Sequence, residues 1–180
     1  MIIAPTAISG CFQILPKIQK DDRGSFIKVF NESFFRENNL ETSFSEGFYS
    51  HSRQRVLRGL HFQAPPKDQA KLVYCVHGKV LDVAIDIRHG SPTFGKHITL
   101  ELSEKTGNVL YLPKGLAHGF YTLSKKAIMV YHVTSTYSQQ HDTGILWNSA
   151  NIDWPDLNPI TSPRDNQFPA LSEFTSPFIF

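Results

Sequence analysis

The 180-residue sequence has only two cysteines, no long apolar run and almost no excess charge. Cys11 and Cys75 form neither a C-x-x-C pair nor a zinc-finger spacing, so we predict neither a disulfide framework nor a structural zinc site. Two unpaired thiols suit a reducing compartment, and the expected location is the cytoplasm. Because no run of about 18 apolar residues and no export signal is present, no membrane span is expected. The net charge of +2 argues against a nucleic-acid partner.

No repeat, low-complexity tract, charge block or Gly/Ser-rich linker divides the chain. Its length is that of one domain with its own core. We therefore predict a single domain over residues 1–180, with a core barrel over about 25–135 and a C-terminal cover over about 147–180. Five prolines follow Trp147, which favours an extended covering segment with little regular structure.

Short runs rich in β-branched and aromatic residues recur between turns that contain glycine or proline. This pattern predicts an all-β sandwich or barrel. Only the stretch NESFFRENNL, opening on Asn31 as a possible N-cap, predicts a helix in the first half of the chain, and it is short. The predicted strands cover residues 25–30, 56–62, 71–76, 80–87, 97–102, 108–113 and 126–134.

The clearest alternation of apolar and polar residues lies in the strand predicted over 80–87. Alternate side chains of a strand point to opposite faces, so one face should be core and the other a polar interior or solvent. The predicted core face carries Leu81, Val83, Ile85 and Ile87, and the other carries Val80, Asp82, Ala84, Asp86 and Arg88.

The stretch GNVLYLPKGLAHGF fits the pattern G-x5-P-x-G-x2-H and ends on His118. It resembles the second sequence motif of the cupins, which are double-stranded β-helix or jelly-roll proteins. In metal-dependent cupins this histidine joins an earlier H-x-H and a glutamate to bind a divalent metal. Here His61 is followed by Gln63, and no glutamate lies between Gln63 and Gly78. We therefore expect no metal, and we treat both histidines as acid–base or hydrogen-bonding groups.

Several further segments resemble one family in order and spacing: VLRGLHFQ, KLVYCVHGKVLDVAIDIRHGSPTFGK, LYLPKGLAHGF, YHVTSTYS and the tail motifs GILWNS, IDWP and SPRD. They are similar to the dTDP-4-dehydrorhamnose 3,5-epimerases, which are cupin-fold enzymes. The resemblance implies an enzyme that acts without metal or organic cofactor on a nucleotide-linked 4-keto-6-deoxy hexose. It also implies a homodimer in which the N-terminal segment helps to build the partner's site.

The reaction of that family needs a base, an acid across the sugar ring and a cation for the enolate oxygen, because the C3 and C5 hydrogens are both α to the C4 ketone. By resemblance, His61 is the base and Asp165 in SPRD is the carboxylate that orients it. Tyr131 matches the acid, and Lys71 the positive charge near the keto oxygen. Taken singly, each also has an ordinary structural interpretation, such as a core tyrosine or a solvated lysine.

The resemblance assigns a second group of residues to substrate binding. Arg23 and Arg58 match the diphosphate contacts, with Arg23 reaching over from the partner chain. His118 matches a contact near the sugar and phosphates, and Tyr137 matches the aromatic ring that stacks on the base. The remaining substrate-binding candidates are Lys28, Glu46, Phe48, Asp142 and Arg164.

Two motifs that contain these positions depart from the family. Its RGFFxE appears here as RGSFIK, which puts Lys28 in place of a glutamate, and its QxN appears as Glu46, Gly47 and Phe48. A glutamate can accept the N3 hydrogen of thymine, whereas a lysine is better matched to the N3 acceptor of cytosine. One hypothesis is that the enzyme accepts a CDP or GDP sugar or ignores the base. The alternative is that Lys28 faces water or a phosphate.

The predicted function is 3,5-epimerisation of a nucleotide-linked 4-keto-6-deoxy hexose, feeding rhamnose-type sugars into polysaccharide. Alternatives on the same scaffold are a mono-epimerase acting at C3 or C5, and a 3,4-ketoisomerase. A metal-dependent cupin dioxygenase and a non-enzymatic sugar-binding jelly roll are alternatives of other classes. The presence of both His61 and Tyr131 favours full epimerisation, since inversion needs an acid opposite the base.

The strand VLRGLHFQ poses a geometric problem for this interpretation. Regular alternation puts Arg58 on the face opposite His61, although both are expected to touch one substrate. Gly59 between them offers a solution, because glycine within a strand often marks a bulge that redirects a side chain. We therefore predict a departure from regular strand geometry at Gly59.

Overall fold

The computed structural model describes residues 1–180, and nearly all of its regular structure is antiparallel β-strand. The one α-helix, α1, spans Glu32–Glu37, and a 3-10 turn covers Leu171–Glu173. Neither is long and apolar enough to cross a membrane. The strands are β1 (Ile2–Pro5), β2 (Phe12–Leu15), β3 (Ile18–Asp21), β4 (Gly24–Ile27), β5 (Glu46–Arg53), β6 (Leu57–Gln63), β7 (Lys71–His77), β8 (Lys79–Asp86), β9 (His97–Ser103), β10 (Val109–Leu112), β11 (Leu116–Thr122), β12 (Lys126–Val133) and β13 (Asp142–Gly144).

Two sheets form the body of the molecule. One has six strands in the order β1-β2-β10-β7-β12-β5, and the other has five in the order β13-β6-β11-β8-β9. A core cluster of 14 buried residues joins them, with Val73 and Met129 from the first sheet and Ala84 and Phe120 from the second. Strands β3 and β4 form a separate ribbon. This is the double-stranded β-helix of the cupins, which confirms the predicted fold class.

Helix α1 begins where the sequence predicts. The side chain of Asn31 accepts a hydrogen bond from the backbone N–H of Phe34 at 2.9 Å, which satisfies one of the free donors at the helix start. Phe35 is fully buried and meets the Tyr111 ring edge-on, with 6.4 Å between ring centroids. The helix therefore packs against strands β2, β10 and β7 of the six-stranded sheet, with Phe35 as its buried anchor.

Strand β8 has two buried faces. Val80 and Ala84 belong to the core between the sheets, so the face that carries Asp82 is a polar interior, one of the two predicted environments. Val83 and Ile85, on the other face, lie in a second core cluster. The C-terminal segment supplies the cover of that cluster through Trp154, Phe178 and neighbouring apolar residues. Tail and barrel thus share one apolar layer.

Several strands were not predicted, including the short strands β3 and β13. The edge strand β5 has mostly exposed residues, so it lacks the apolar alternation of a half-buried strand. Strand β11 is buried throughout and central, but its first four residues belong to the sequence PKGLAHG, which has the composition of a turn. Strands β1 and β2 are only four residues long, and they join the six-stranded sheet although they precede the predicted barrel. The strand predicted over 25–30 ends at Ile27 and lies in the ribbon.

Candidate active site

A cavity of about 310 Å³ opens at one end of the sandwich, between the two sheets. Most of the candidate residues line it, although they come from six different strands and two loops. An adjoining cleft of about 650 Å³ shares Arg58, His61 and Arg164 with this cavity and is also lined by Asp165. The candidates on the cavity wall are Glu46, Phe48, Arg58, His61, Lys71, His118, Tyr131, Tyr137, Asp142 and Arg164.

His61 and Asp165 form a hydrogen-bonded pair between strand β6 and the C-terminal segment. The Nε2 atom of His61 lies 2.9 Å from Oδ1 of Asp165. The histidine side chain is 30% exposed, whereas that of Asp165 is 4% exposed. An ionised carboxylate can only accept, so Nε2 carries the hydrogen of this bond and Nδ1 keeps a free lone pair. The pair therefore presents a histidine with one basic nitrogen available.

Asp165 stays ionised although it is buried. Burial would raise the pKa of its carboxyl, but hydrogen bonds from His61, from the Ser162 hydroxyl at 2.8 Å and from the Gly59 backbone N–H at 3.1 Å more than offset it. The net effect holds the pKa of Asp165 below its usual value. The ionised carboxylate therefore fixes the orientation and the tautomer of the His61 ring.

The backbone at Gly59 departs from a regular strand, as predicted. Its φ is +141°, a value that residues other than glycine rarely adopt. The β6–β11 register shifts between Arg58 and His61, so β6 carries a bulge there, and both side chains line the cavity. A Cβ at Gly59 would lie 2.6 Å from the Cα of Gly119 on β11. Two glycines therefore allow the strand to turn both polar side chains toward one pocket.

Lys71 begins strand β7 and lies beside His61. Its Nζ donates a hydrogen bond to the backbone carbonyl of His61 at 3.2 Å. Burial lowers the pKa of Lys71 to about 8, although the charges of Asp142 and Asp82 act in the opposite direction. The ammonium therefore lies in a poorly hydrated part of the pocket, where a positive charge acts strongly on a nearby oxyanion.

Tyr131 lies on β12, and its side chain is mostly buried. Its ring stacks on Phe48 of β5, with 4.8 Å between centroids and 13° between planes. The His118 ring approaches it edge-on at 6.1 Å. Burial raises the pKa of Tyr131 well above its usual value, which keeps the hydroxyl protonated at neutral pH. It can therefore give a proton to a strong base such as an enolate carbon, but does not ionise in the resting enzyme.

His118 is held by Asp82, a residue that the sequence did not single out for this site. The Nε2 atom of His118 lies 2.9 and 3.0 Å from the two carboxylate oxygens of Asp82. Both side chains are buried, and burial raises the pKa of Asp82. The alternation of strand β8 had placed Asp82 on its polar face, which was the available signal. On the central strand β11, His118 is paired with His61 of β6 on one side and with Ala84 of β8 on the other.

The charged and polar walls of the cavity are ordered by short contacts. Arg58 Nε donates to the Ser52 hydroxyl at 3.0 Å. Arg164 and Asp142 form an ion pair at 2.7 Å. A further bond links a loop to strand β5, where the backbone N–H of Tyr137 donates to the Glu46 carboxylate at 3.0 Å. Tyr137 itself is 61% exposed, so its ring is free to contact a ligand.

Two candidates lie away from this cavity within one chain. Arg23 lies in the turn of the β3–β4 ribbon, where its side chain is 90% exposed and pairs with Asp21 at 2.6 Å. Lys28 follows β4 and lines a separate cavity with Phe26 and Phe34. A single chain therefore does not bring Arg23 or Lys28 to His61.

The residues near the two histidines do not form a recognisable metal site. No group of three or more His, Cys, Asp or Glu side chains comes together anywhere in the chain. Gln63, which follows His61 where metal-dependent cupins have a second histidine, makes structural bonds instead. Its amide donates to the carbonyls of Lys67 and Thr136, and its oxygen accepts from the N–H of Ser138.

The pocket of this jelly roll holds a histidine–carboxylate pair, a partly buried lysine and a protonated tyrosine. These are the groups of an enzyme that moves protons to and from carbon. The family model described as dTDP-4-dehydrorhamnose 3,5-epimerase matches residues 5–173, and the chain belongs to this family of epimerases.

Individual relatives agree with this assignment over almost the whole chain. A dTDP-4-dehydrorhamnose 3,5-epimerase of Shigella flexneri is 44% identical over 168 residues, which are 92% of this chain and 93% of the relative. The structure of the Legionella pneumophila epimerase in complex with dTDP-4-keto-L-rhamnose has a TM-score of 0.92 at 37% identity and covers 97% of this chain and 94% of that one. The Bacillus anthracis epimerase with TDP and pyrophosphate bound has a TM-score of 0.91 at 37% identity, covering 94% and 98%.

Proposed function

We propose that this chain inverts C3 and C5 of a dTDP-linked 4-keto-6-deoxy hexose, in the formation of rhamnose-type sugars for polysaccharide. The observation that carries the proposal is the His61–Asp165 pair, with 2.9 Å between Nε2 and Oδ1, on the wall of a cavity that also holds Lys71 and Tyr131. The Legionella relative, whose structure contains dTDP-4-keto-L-rhamnose, supports this choice of substrate class.

The chemistry follows from the protonation states. Nδ1 of His61 removes the hydrogen from C5 or C3, and the electron pair moves into the C4 carbonyl to form an enolate. The Lys71 ammonium stabilises the negative oxygen. The Tyr131 hydroxyl then delivers its proton to the opposite face of the same carbon, which inverts that centre. Solvent removes the proton gained by His61 and restores the one lost by Tyr131.

Substrate binding is proposed to involve a second copy of the chain. Arg58 lines the cavity and supplies a guanidinium for the diphosphate, while the Tyr137 ring is free to stack on the base. Arg23 is highly exposed on a projecting ribbon, and β5 leaves one edge of its sheet unpaired. A homodimer in which the ribbon of one protomer reaches the β5 side of its partner would add Arg23 and Lys28 to the pocket.

The expected location remains the cytoplasm. Both cysteines are free thiols, and both are buried. Burial raises the pKa of the Cys11 thiol to about 12 and of the Cys75 thiol to about 11, so neither is a reactive thiolate. Two inert, unpaired thiols in one chain support a reducing compartment.

Proton exchange in heavy water tests the proposed reaction. The wild-type protein is incubated with dTDP-4-keto-6-deoxyglucose in D₂O, and NMR follows the signals of C3-H and C5-H. We expect deuterium and inversion at both carbons. Deuterium at one carbon alone would identify a mono-epimerase, and exchange at neither would contradict the proposal.

The base is tested separately through Lys28. Matched dTDP- and CDP-linked 4-keto sugars are compared by kcat/KM in wild type and in the Lys28→Glu variant. If Lys28 reads the base, wild type should discriminate little between the two or favour CDP, and Lys28→Glu should move the ratio toward dTDP by about tenfold, the effect of one polar contact to a charged group. A strong wild-type preference for dTDP that Lys28→Glu leaves unchanged would show that Lys28 faces water or a phosphate.

A further inference from the structure

Phe48 is an exposed aromatic residue with an unusual neighbour. It lies on edge strand β5 directly opposite Tyr131 of β12, and the two rings stack with 4.8 Å between centroids and 13° between planes. Phe48 is 48% exposed, whereas Tyr131 is only 8% exposed. The phenyl ring therefore separates one face of the tyrosine from solvent at the mouth of the cavity.

Packing from two sides sets the orientation of the Tyr131 ring. Phe48 covers one face, and the edge of the His118 ring approaches at 6.1 Å with an interplanar angle of 73°. His118 is itself held by Asp82, which is fully buried. Ser50, which also lines the cavity, contributes a side-chain contact that lowers the pKa of Tyr131 against the larger effect of burial. Among its aromatic neighbours, the tyrosine ring has one fixed contact, His118, and one on a sheet edge, Phe48.

We propose that Phe48 is a positioning residue that sets how well Tyr131 protonates each of the two carbons. This inference rests on the proposed function, in which one hydroxyl serves both C3 and C5. Proton delivery requires close and aligned approach, and a misplacement of about 1 Å can cost a factor of about 10² in rate. A tilt of the Tyr131 ring changes its distances to C3 and C5 unequally, so the ring stack determines the balance between the two inversions.

Deuterium labelling separates this role from general stability. After His61 removes a hydrogen, deuterium can return from the same face, which gives exchange with retention, or from Tyr131 on the other face, which gives inversion. Phe48→Ala should reduce inversion more than it reduces total exchange. The variant should lower the ratio of inversion to retention by about tenfold at one carbon and to a different extent at the other. This asymmetry is expected because a tilted Tyr131 ring moves its hydroxyl by unequal amounts relative to C3 and C5.

The control variants come from the same strand. Phe48→Tyr keeps a ring on Tyr131 and should retain the wild-type ratios. Tyr49→Ala removes the neighbouring ring of β5, which is 72% exposed, and should change neither ratio nor exchange. Thermal unfolding of each variant accompanies the measurement. A Phe48→Ala protein that loses exchange and inversion equally at both carbons would show a merely structural role and overturn the inference.

A double mutant tests whether Phe48 acts through Tyr131. Tyr131→Phe removes the acid, so adding Phe48→Ala should change the ratios no further, whereas independent effects would add. Further loss in the double mutant overturns the inference. If the wild type is active and Phe48→Ala keeps the wild-type ratios, the inference is overturned while the proposed function stands. Exchange at neither carbon in the wild type would overturn the proposed function, and this inference with it.

Discussion

Replacement of His61 with asparagine is expected to lower kcat by about 10³-fold and to remove deuterium exchange at both carbons, within the range of about 10²–10⁴ that general bases contribute. Asparagine has no basic nitrogen for the C–H proton, and its amide is too short to replace the Nε2 that bonds Asp165. Exchange and inversion should therefore disappear together. NMR in D₂O measures both, and calorimetric titration with dTDP checks that the variant still binds the nucleotide.

Two further variants serve as comparisons for His61→Asn. Asp165→Asn leaves the histidine in place but removes the carboxylate that fixes its tautomer and orientation, so we expect a smaller loss, of about 10²-fold. His97→Asn changes a histidine of strand β9 that does not line the cavity and should leave the rate unchanged. If His61→Asn exchanges deuterium at the wild-type rate while His97→Asn behaves as expected, the base is another residue.

The sequence predicted much of this site because its residues lie in segments with strong signals. His61, Lys71 and Tyr131 occupy β6, β7 and β12, three strands whose positions the apolar pattern predicted to within about one residue. Their roles came from the family resemblance, since spacing alone could not bring three separate strands to one cavity. The bulge at Gly59 was predicted from chemistry: only a departure from alternation allows Arg58 and His61 to share a pocket.

What could not be predicted depends on contacts that lie far apart in the chain. Asp82 and His118 are separated by 36 residues, and only the pairing of β8 with β11 brings them together. The stack of Phe48 on Tyr131 could not be predicted because strand β5 was not predicted. Most of its residues are exposed at the sheet edge, so it lacks the apolar alternation of a strand. Arg23 and Lys28 lie outside the cavity of their own chain, which is why their proposed contribution involves a second protomer.

Replacement of Lys71 with glutamine should lower kcat by about 10²–10³-fold, the cost of removing one donor to a developing oxyanion. Glutamine keeps a polar side chain but removes the positive charge, so the loss reports the ammonium. Binding of dTDP should change little, since the effect lies in the enolate and not in the nucleotide. Lys105→Gln, in an exposed turn, is the matched control and should behave as wild type.

The pH dependence of the rate gives an independent test of Lys71. Burial lowers the pKa of this lysine to about 8, so its charge is present below that pH and lost above it. Activity that depends on the ammonium should therefore fall as the pH rises through about 8. Arginine stays charged far above this pH, so Lys71→Arg should be slower at neutral pH but lack the alkaline decline.

Asp142 refines this test, because its negative charge raises the pKa of Lys71 against the larger effect of burial. Asp142→Asn should therefore shift the alkaline decline to lower pH, while Lys71→Arg should remain insensitive to the same change. A decline that persists unaltered in Lys71→Arg would assign the titration to another group. The shift in Asp142→Asn and its absence in the Lys71→Arg background would together locate the titrating charge on Nζ, next to the oxygen whose negative charge it is proposed to stabilise.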